Sequence, residues 1–165
     1  MSELPDRVRR AFADHGGFER AAAGEYVATS TAFDATVTVD DLDEVADGHV
    51  PFAVEMRVPT LSAVVAGDVA DVVEEGWYET FELRVEDARG VTRGTDTVEP
   101  TVDRAGAEVV VAAEYSDIDP RRGVDDAAAL VTFVEGTFVE GIIPGYDYTE
   151  PASSLLSSAR QTGGF

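Results

Sequence analysis

The first apolar residues of the chain recur at the spacing of an α-helix. Pro5 suits a first turn, where its missing N–H costs nothing, and Gly16 and Gly17 suit a helix end. The pattern i, i+4, i+7, i+8 places four side chains on one helical face: Leu4, Val8, Ala11 and Phe12. We therefore predict a helix that opens the chain and ends at the two glycines.

A period of two follows, and it predicts three strands. Apolar residues alternate with aspartate and threonine from Phe33 to Val39, after a shorter strand around Tyr26 to Thr29. The residues from Val50 to Val58 alternate again. Pro51 and Pro59 lie near the ends of this third stretch, and an edge strand tolerates proline there.

The segment GDVADVVEEGWYETFELRVEDARG, at residues 67–90, predicts one long helix with Asp68 as its N-cap. The apolar positions that keep to one helical face are Val69, Val72, Val73, Trp77 and Phe81. Gly76 weakens this helix, and after it the apolar residues also alternate as in a strand. A helix followed by a strand over residues 77–85 is therefore the alternative.

The second half of the chain predicts a hairpin and a long helix. The hairpin turns at residues 104–106, and its second strand alternates from Val109 to Tyr115. The helix begins in the segment PRRG and is apolar enough to be well buried. Pro144 and Gly145 are expected to stop it.

Together these elements predict one α+β domain over residues 1–165. The order is α-β-β-β-α-β-β-α, with a short C-terminal helix at about residues 151–160 and a frayed tail at residues 161–165. No long linker and no solenoid repeat interrupts it. Because the strands form hairpin-like runs without regular crossovers, we expect an antiparallel sheet of about five strands with helices packed on one face.

Acidic residues occupy most charged positions of this pattern. The chain has 33 Asp and Glu against 12 cations, all of them arginine, which gives a net charge of −21. The acids recur from end to end, so we expect an acidic skin that repels itself in dilute buffer and is screened at molar salt. We therefore expect a cytoplasmic protein of an organism with a high-salt interior. An acidic binder of basic partners, or a nucleic-acid mimic, is the alternative.

Composition also disfavours several classes of function. Nucleic-acid binding needs a cationic patch, and the absence of cysteine excludes disulfides and thiol catalysis. No apolar run approaches the roughly 20 residues of a membrane span, and no signal peptide opens the chain. The common nucleophile and phosphate-binding motifs are missing, and His15 and His49 lack metal-ligand spacing. We predict no cofactor, metal site or catalytic residue, and neither nucleic acid nor membrane as a partner.

The acidic loop at residues 40–47 does not match a calcium loop. Counted from Asp41, the sixth position is Ala46 rather than glycine. We interpret the loop as a solvated turn, with loose cation binding as the alternative.

Arg121 and Arg122 are the main candidates for ligand binding. They stand at a predicted helix start, where free N–H groups favour anions, and two guanidinium groups can hold a phosphate or a carboxylate. Tyr146 and Tyr148, at the other end of this helix, are candidates for a contact surface. The arginines have an alternative role in neutralising their neighbours, which are Asp117, Asp119, Asp125 and Asp126.

The doubled V-E-G of the last helix predicts packing rather than chemistry. Two side chains five residues apart in a helix are separated by about 140° around its axis. Glu135 and Glu140 therefore lie on different faces and do not form a carboxylate pair. Gly136 and Gly141 each cost about 1 kcal/mol relative to alanine in a helix interior. We therefore expect another element to approach the backbone at these glycines.

Two resemblances bear on function. The segments LPDRVRRAF and PRRGVDDAAALVTFVEGTFVEGIIPGYDY resemble a family of small halophilic-archaeal proteins defined as a domain of unknown function. The predicted element order resembles type III secretion chaperones and sensory-transduction-regulator-like domains, which bind proteins and often dimerise. We therefore predict a non-enzymatic protein-interaction module, chaperone-like or adaptor-like, with a protein partner or a homodimer. A protein or enzyme that binds a small anionic ligand at the PRRG helix start is the alternative.

Overall fold

This computed structural model describes residues 5–39 and 48–163, which form a six-stranded antiparallel sheet and four α-helices. The strands are β1 (Phe18–Ala22), β2 (Glu25–Ala28), β3 (Asp34–Val39), β4 (Val50–Pro59), β5 (Thr101–Ala105) and β6 (Glu108–Asp117). They lie in the order β1-β2-β3-β4-β6-β5. The helices are α1 (Asp6–His15), α2 (Asp71–Val85), α3 (Pro120–Glu140) and α4 (Ala152–Gly163), with 3₁₀ turns at Ser62–Val64 and Glu86–Gly90. The predicted α+β class is confirmed, and the acidic loop at residues 40–47 lies outside the described residues.

The sheet has six strands rather than the predicted number of about five. The prediction missed β1 because this strand shows no alternation of apolar and polar residues. Of its five residues only Phe18 is buried. A strand at the sheet edge with so little burial has no hydrophobic period to display. Its pairing with β2, which joins Phe18 to Ala28, makes it part of the sheet.

One face of the sheet is buried beneath the helices. Phe12 of α1 stacks on Tyr26 of β2 with ring centroids 3.8 Å apart, and Phe138 of α3 meets Trp77 of α2 edge to face. The core side chains that the central strands supply include Val37, Val54, Met56, Val58, Val109 and Val111. Because side chains alternate across a strand, their neighbours point to the opposite face, on which the described residues place no helix.

Among the glycines of α3 and its C-cap, Gly123 makes the closest approach to the sheet, and not the glycines of the doubled V-E-G. A Cβ added to Gly123 would lie 2.2 Å from Cε2 of Phe52, whereas a Cβ on Gly136 would meet nothing within 4 Å. Gly141 is the C-cap of α3, where a Cβ would make ordinary contacts at 3.4 Å and beyond. The prediction of close packing is therefore wrong for Gly136, which faces solvent. At Gly141 another element does approach the backbone, since an added Cβ would lie 3.5 Å from Nε1 of Trp77 in α2.

Helix α2 is continuous through residues 77–85, so the strand alternative there is wrong. Trp77, Phe81 and Val85 are its buried residues, and their spacing of four keeps them on one helical face. The N-cap is Ala70 rather than Asp68, and no side chain caps the helix start.

Strand β4 is central, which corrects the edge position inferred from its prolines. It pairs with β3 on one side and β6 on the other. The pairing with β3 extends only from Phe52 to Arg57 of β4, so Pro51 and Pro59 lie beyond it. A strand end with one unpaired side tolerates a residue without an N–H.

Candidate functional site

The helix-free face of the sheet holds a groove of about 810 Å³. Its floor is made of short side chains on the central strands, namely Thr36, Thr38, Ala53 and Ala112. Thr97, Glu99 and Thr101 line it from the segment that leads into β5 and from the first residue of that strand. We call this feature the sheet groove.

Strand register places glutamates across the sheet groove in two adjacent rows. One row runs from Glu25 through Thr38 and Ala53 to Glu114. Three strand spacings separate Glu25 from Glu114, or roughly 14 Å. Glu55 lies between them in the next row, two residues along β4 from Ala53. An extended or helical segment of a partner would thus meet carboxylates along its length.

The carboxylates of the sheet groove are largely unneutralised. Glu55 accepts a hydrogen bond from the Arg57 guanidinium at 3.0 Å, and in the part of the chain that the structure describes no arginine lines the groove. Within the described part of the chain, the side chains of Glu25, Glu99 and Glu114 take part in no ion pair or hydrogen bond. Carboxylates without partners at a concave surface attract cationic groups and repel anionic ones.

The segment of residues 91–100, which we call the wall segment, is fixed to the protein at two places. The Asp126 carboxylate accepts the N–H groups of Arg93 and Gly94, each at 2.9 Å. The Asp96 carboxylate accepts the N–H of Ser116 at 2.8 Å and its hydroxyl at 3.0 Å. The wall segment therefore passes from α3, on the buried side of the sheet, to the open face at the end of β6.

Arg122 is held by a buried carboxylate. Its Nε and Nη2 donate to the two oxygens of Asp117, both at 2.7 Å, and the Asp117 side chain is 1% exposed. Burial alone would raise the pKa of Asp117, but the hydrogen bonds from Arg122 and from the N–H of Asp119 bring that pKa below its ordinary value. This fork is the geometry that the neutralising role predicts.

Arg121 also has a carboxylate partner, because its Nη2 donates to Asp14 of α1 at 2.6 Å. The free N–H groups of the helix start are occupied as well, since the Asp119 side chain accepts those of Arg121 and Arg122. An anion site here stays a prediction, and an anion would compete with Asp14, Asp117 and Asp119 for these donors.

Tyr146 and Tyr148 lie at the opposite end of α3 from the two arginines. The 21-residue helix separates the two pairs by roughly 30 Å at 1.5 Å per residue, so the four residues do not form one site. The Tyr148 hydroxyl donates to the carbonyl of Ile143 and accepts its N–H. The two tyrosine rings meet edge to face at 6.5 Å, and both are half-buried.

His15 contributes to the contact between α1 and α3. Its Nδ1 accepts the N–H of Gly17 at 3.2 Å, and its Nε2 lies 3.8 Å from Asp125. Among the described residues, no group of three histidine or carboxylate side chains is arranged to hold a metal ion.

The sheet groove has only a weak signal in the sequence. Thr36, Glu55 and Glu114 occupy the polar positions of alternating strands, which predicts that they face away from the core. Alternation does not reveal which strands are neighbours, so the row from Glu25 to Glu114 requires the sheet order.

Comparison with known proteins identifies a family without an assigned activity. Nothing among the curated proteins or the solved structures matches the chain. In the residues that the structure describes, no helix combines the length and apolar character needed to cross a bilayer. A family model, described as a family of unknown function, matches residues 13–158, and the chain therefore belongs to DUF5813.

Proposed function

We propose that this protein is a non-enzymatic interaction module whose sheet groove binds a cationic segment of a partner protein. The observation that carries the proposal is a set of carboxylates, Glu25, Glu99 and Glu114, that have no partner among the described residues and surround a floor of small side chains. Guanidinium groups pair with carboxylates through two parallel hydrogen bonds, and a short-chain floor lets a partner backbone approach closely.

Charge decides between the possible occupants of the sheet groove. Among the described residues, four glutamates and no arginine line it, and of the four only Glu55 is paired, with Arg57, so a phosphate or a carboxylate would be repelled there. A second copy would bring the same four glutamates face to face, because a twofold interface joins identical surfaces. The occupant that fits is therefore a basic segment of a different protein.

A homodimer is proposed only through another surface, such as an edge strand. Size-exclusion chromatography with light scattering in molar salt tests it, and a monomer at high concentration contradicts it. The Glu55→Gln, Glu114→Gln double variant should leave the oligomeric state unchanged, since the sheet groove is not the dimer contact.

The net charge of −21 supports a setting in a halophilic, high-salt cytoplasm. At about 1 M salt the Debye length is about 3 Å, so attraction at a distance is screened and the partner must make direct contacts. The antiparallel sheet with helices on one face supports the analogy with type III secretion chaperones and other chaperone-like or adaptor-like domains, which is an analogy of fold alone.

The anionic-ligand alternative uses Arg121 and Arg122 and makes a separate prediction. A thermal-shift screen of anionic metabolites and nucleotides would find a stabilising ligand whose effect disappears in the Arg121→Ala, Arg122→Ala double variant. The geometry gives this alternative less support, since both guanidinium groups already pair with Asp14 and Asp117.

Peptide binding tests the proposal. The probe is a labelled 14-residue peptide of alternating arginine and alanine, measured by fluorescence anisotropy at fixed ionic strength. Glu55→Gln with Glu114→Gln should weaken binding by about tenfold or more, because each lost charge-assisted hydrogen bond contributes about 1.5–3 kcal/mol before compensation. A spermine titration shows whether a small polyamine competes.

The matched control removes one carboxylate from α2 and one from the turn after it, in the helical layer that packs on the face of the sheet opposite the groove. Glu79→Gln with Glu86→Gln changes the net charge equally at exposed residues and should alter the affinity less than twofold. Equal weakening by both pairs would show that only net charge attracts the peptide and would overturn the proposal. Spermine binding as tight as peptide binding, and equally sensitive to the groove pair, would replace the protein partner with a polyamine.

A further inference from the structure

We infer that Asp126 is a positioning residue that fixes the wall segment and so places Glu99 in the sheet groove; this inference rests on the proposed function. Asp126 is 2% exposed and belongs to α3, on the opposite side of the sheet from the groove. Both of its oxygens are used, Oδ1 by the N–H of Arg93 and Oδ2 by the N–H of Gly94. A buried carboxylate thus holds the backbone from which the groove lining continues.

Gly94 fits between two buried carboxylates. A Cβ at this position would lie 2.9 Å from Oδ2 of Asp117 and 3.1 Å from Oδ2 of Asp126. Asp117 is itself held in place by Arg122. The RRGVDD sequence at the start of α3 therefore contains Asp126 itself and also Arg122, which holds Asp117 in place. This role is distinct from anion binding.

The second anchor lies on the open face. Asp96 binds Ser116 of β6, and after it Val98 is buried while Thr97 and Glu99 line the sheet groove. Anchors at residues 93–94 and at residue 96 hold the segment on both sides of the sheet end. Release of either anchor leaves fewer contacts to hold the segment before the buried Val98, so we expect Glu99 to spend part of its time outside the groove, as weakly held loops open locally.

Asp126→Asn and its neighbour Asp125→Asn provide a matched test. Asp125 is on the same helix, but it is only half-buried, with a side chain that is 47% exposed, and it pairs with the guanidinium of Arg93 rather than with backbone. We expect Asp126→Asn to speed hydrogen exchange of residues 93–99 and to weaken arginine–alanine peptide binding about fivefold to tenfold. Asp125→Asn should change both by less than twofold, with unchanged exchange in β4 for both variants.

A double-mutant cycle separates positioning from general destabilisation. If Asp126 acts through Glu99, adding Glu99→Gln to Asp126→Asn causes little further loss, whereas adding Glu55→Gln causes its full separate loss. Asp96→Ala releases the other, exposed anchor without burying an unpaired group. Even if Asp126→Asn does not fold, Asp96→Ala should weaken peptide binding in the same way, and adding Glu99→Gln to it should cause little further loss of affinity.

The outcomes distinguish this inference from the proposed function. The inference is overturned if Asp126→Asn or Asp96→Ala speeds hydrogen exchange of residues 93–99 but keeps the wild-type affinity for the peptide. It is also overturned if the losses of affinity in Asp126→Asn and Glu99→Gln are fully additive. If the Glu55, Glu114 pair weakens binding specifically while the anchor variants do not, the sheet groove stands and only the role of Asp126 falls. If neither set differs from its charge-matched control, the proposed function falls as well.

Discussion

Gly123 of α3 lies directly against the ring of Phe52 in β4, where an added Cβ would stand 2.2 Å from Cε2. The hydroxyl of Tyr115 donates to the carbonyl of Gly123 at 2.6 Å, and the Tyr115 ring stacks on that of Phe52. This contact joins the start of the longest helix to the two central strands. The start of α3 carries Arg122 and Asp126, so the contact also sets the position of both anchoring residues.

We expect Gly123→Ala to destabilise the fold by about 1–3 kcal/mol, the usual cost of overpacking a tight core. The methyl group can be accommodated only if α3 or the Phe52 ring moves. Urea unfolding at constant molar salt measures the change in the free energy of unfolding. An unchanged midpoint would show that α3 is free to shift on the sheet.

Gly136→Ala should have the opposite effect and stabilise the protein by up to about 1 kcal/mol. Gly136 is exposed in the interior of α3 and a Cβ would meet nothing within 4 Å, so alanine adds helix propensity without a clash. The same unfolding experiment, with Gly123→Ala as the paired variant, checks the sign. A loss of stability at Gly136 would contradict the open environment described for it.

The pairing of Asp117 with Arg122 predicts how stability depends on pH. In the folded protein burial opposes the charged form of Asp117, but the hydrogen bonds from Arg122 and Asp119 outweigh burial, so the pKa is lower than in the unfolded chain. A carboxyl with a lowered pKa stabilises the fold above its unfolded pKa of about 3.9. That contribution is lost as the pH falls through the folded pKa.

Arg122→Ala removes the side-chain hydrogen bonds that lower the pKa of Asp117, and it leaves the burial of Asp117 and the hydrogen bond from the N–H of Asp119. The pKa of Asp117 should then rise, because a buried carboxylate without a cation is disfavoured. We expect Arg122→Ala to lower Tm at pH 7 and to recover part of this deficit as the pH approaches about 4, where the carboxyl becomes protonated. Calorimetry from pH 7 to pH 3 measures both effects.

The control is Arg121→Ala, whose partner Asp14 has a side chain that is 56% exposed. An exposed pair contributes little to stability, so this variant should follow the wild-type Tm at every pH. Equal pH profiles for the two variants would argue against a special role of the buried Asp117.

Salt should stabilise the protein strongly. Lowering the concentration from about 1 M to about 0.1 M extends the Debye length from about 3 Å to about 10 Å, which exposes the repulsion among the acidic residues. We expect a loss of roughly 2–3 kcal/mol, or about 5–10 °C in Tm. Sodium and potassium chloride should act alike, and undiminished stability in dilute buffer would refute the high-salt setting.

The sequence by itself determined the class of fold and most of its elements. Alternation marked β3, β4 and β6, and a spacing of four marked the buried face of α2 through Trp77 and Phe81. These signals are local, since each follows from which side of one strand or helix meets the core. Strand β1 was not predicted, because Phe18 is its only buried residue and a single buried residue gives no alternating pattern.

Only the tertiary structure decided which residues meet. Pro51 and Pro59 are compatible with an edge strand, but β4 has a neighbour on each side. The sequence predicts close contacts at Gly136 and Gly141, and only the packing of α3 on Phe52 shows that Gly123 makes the tightest one. Likewise, the row from Glu25 to Glu114 and the reach of Asp126 to Gly94 join residues far apart in the chain. Strand order and helix packing depend on the summed burial of the whole core, which no local pattern contains.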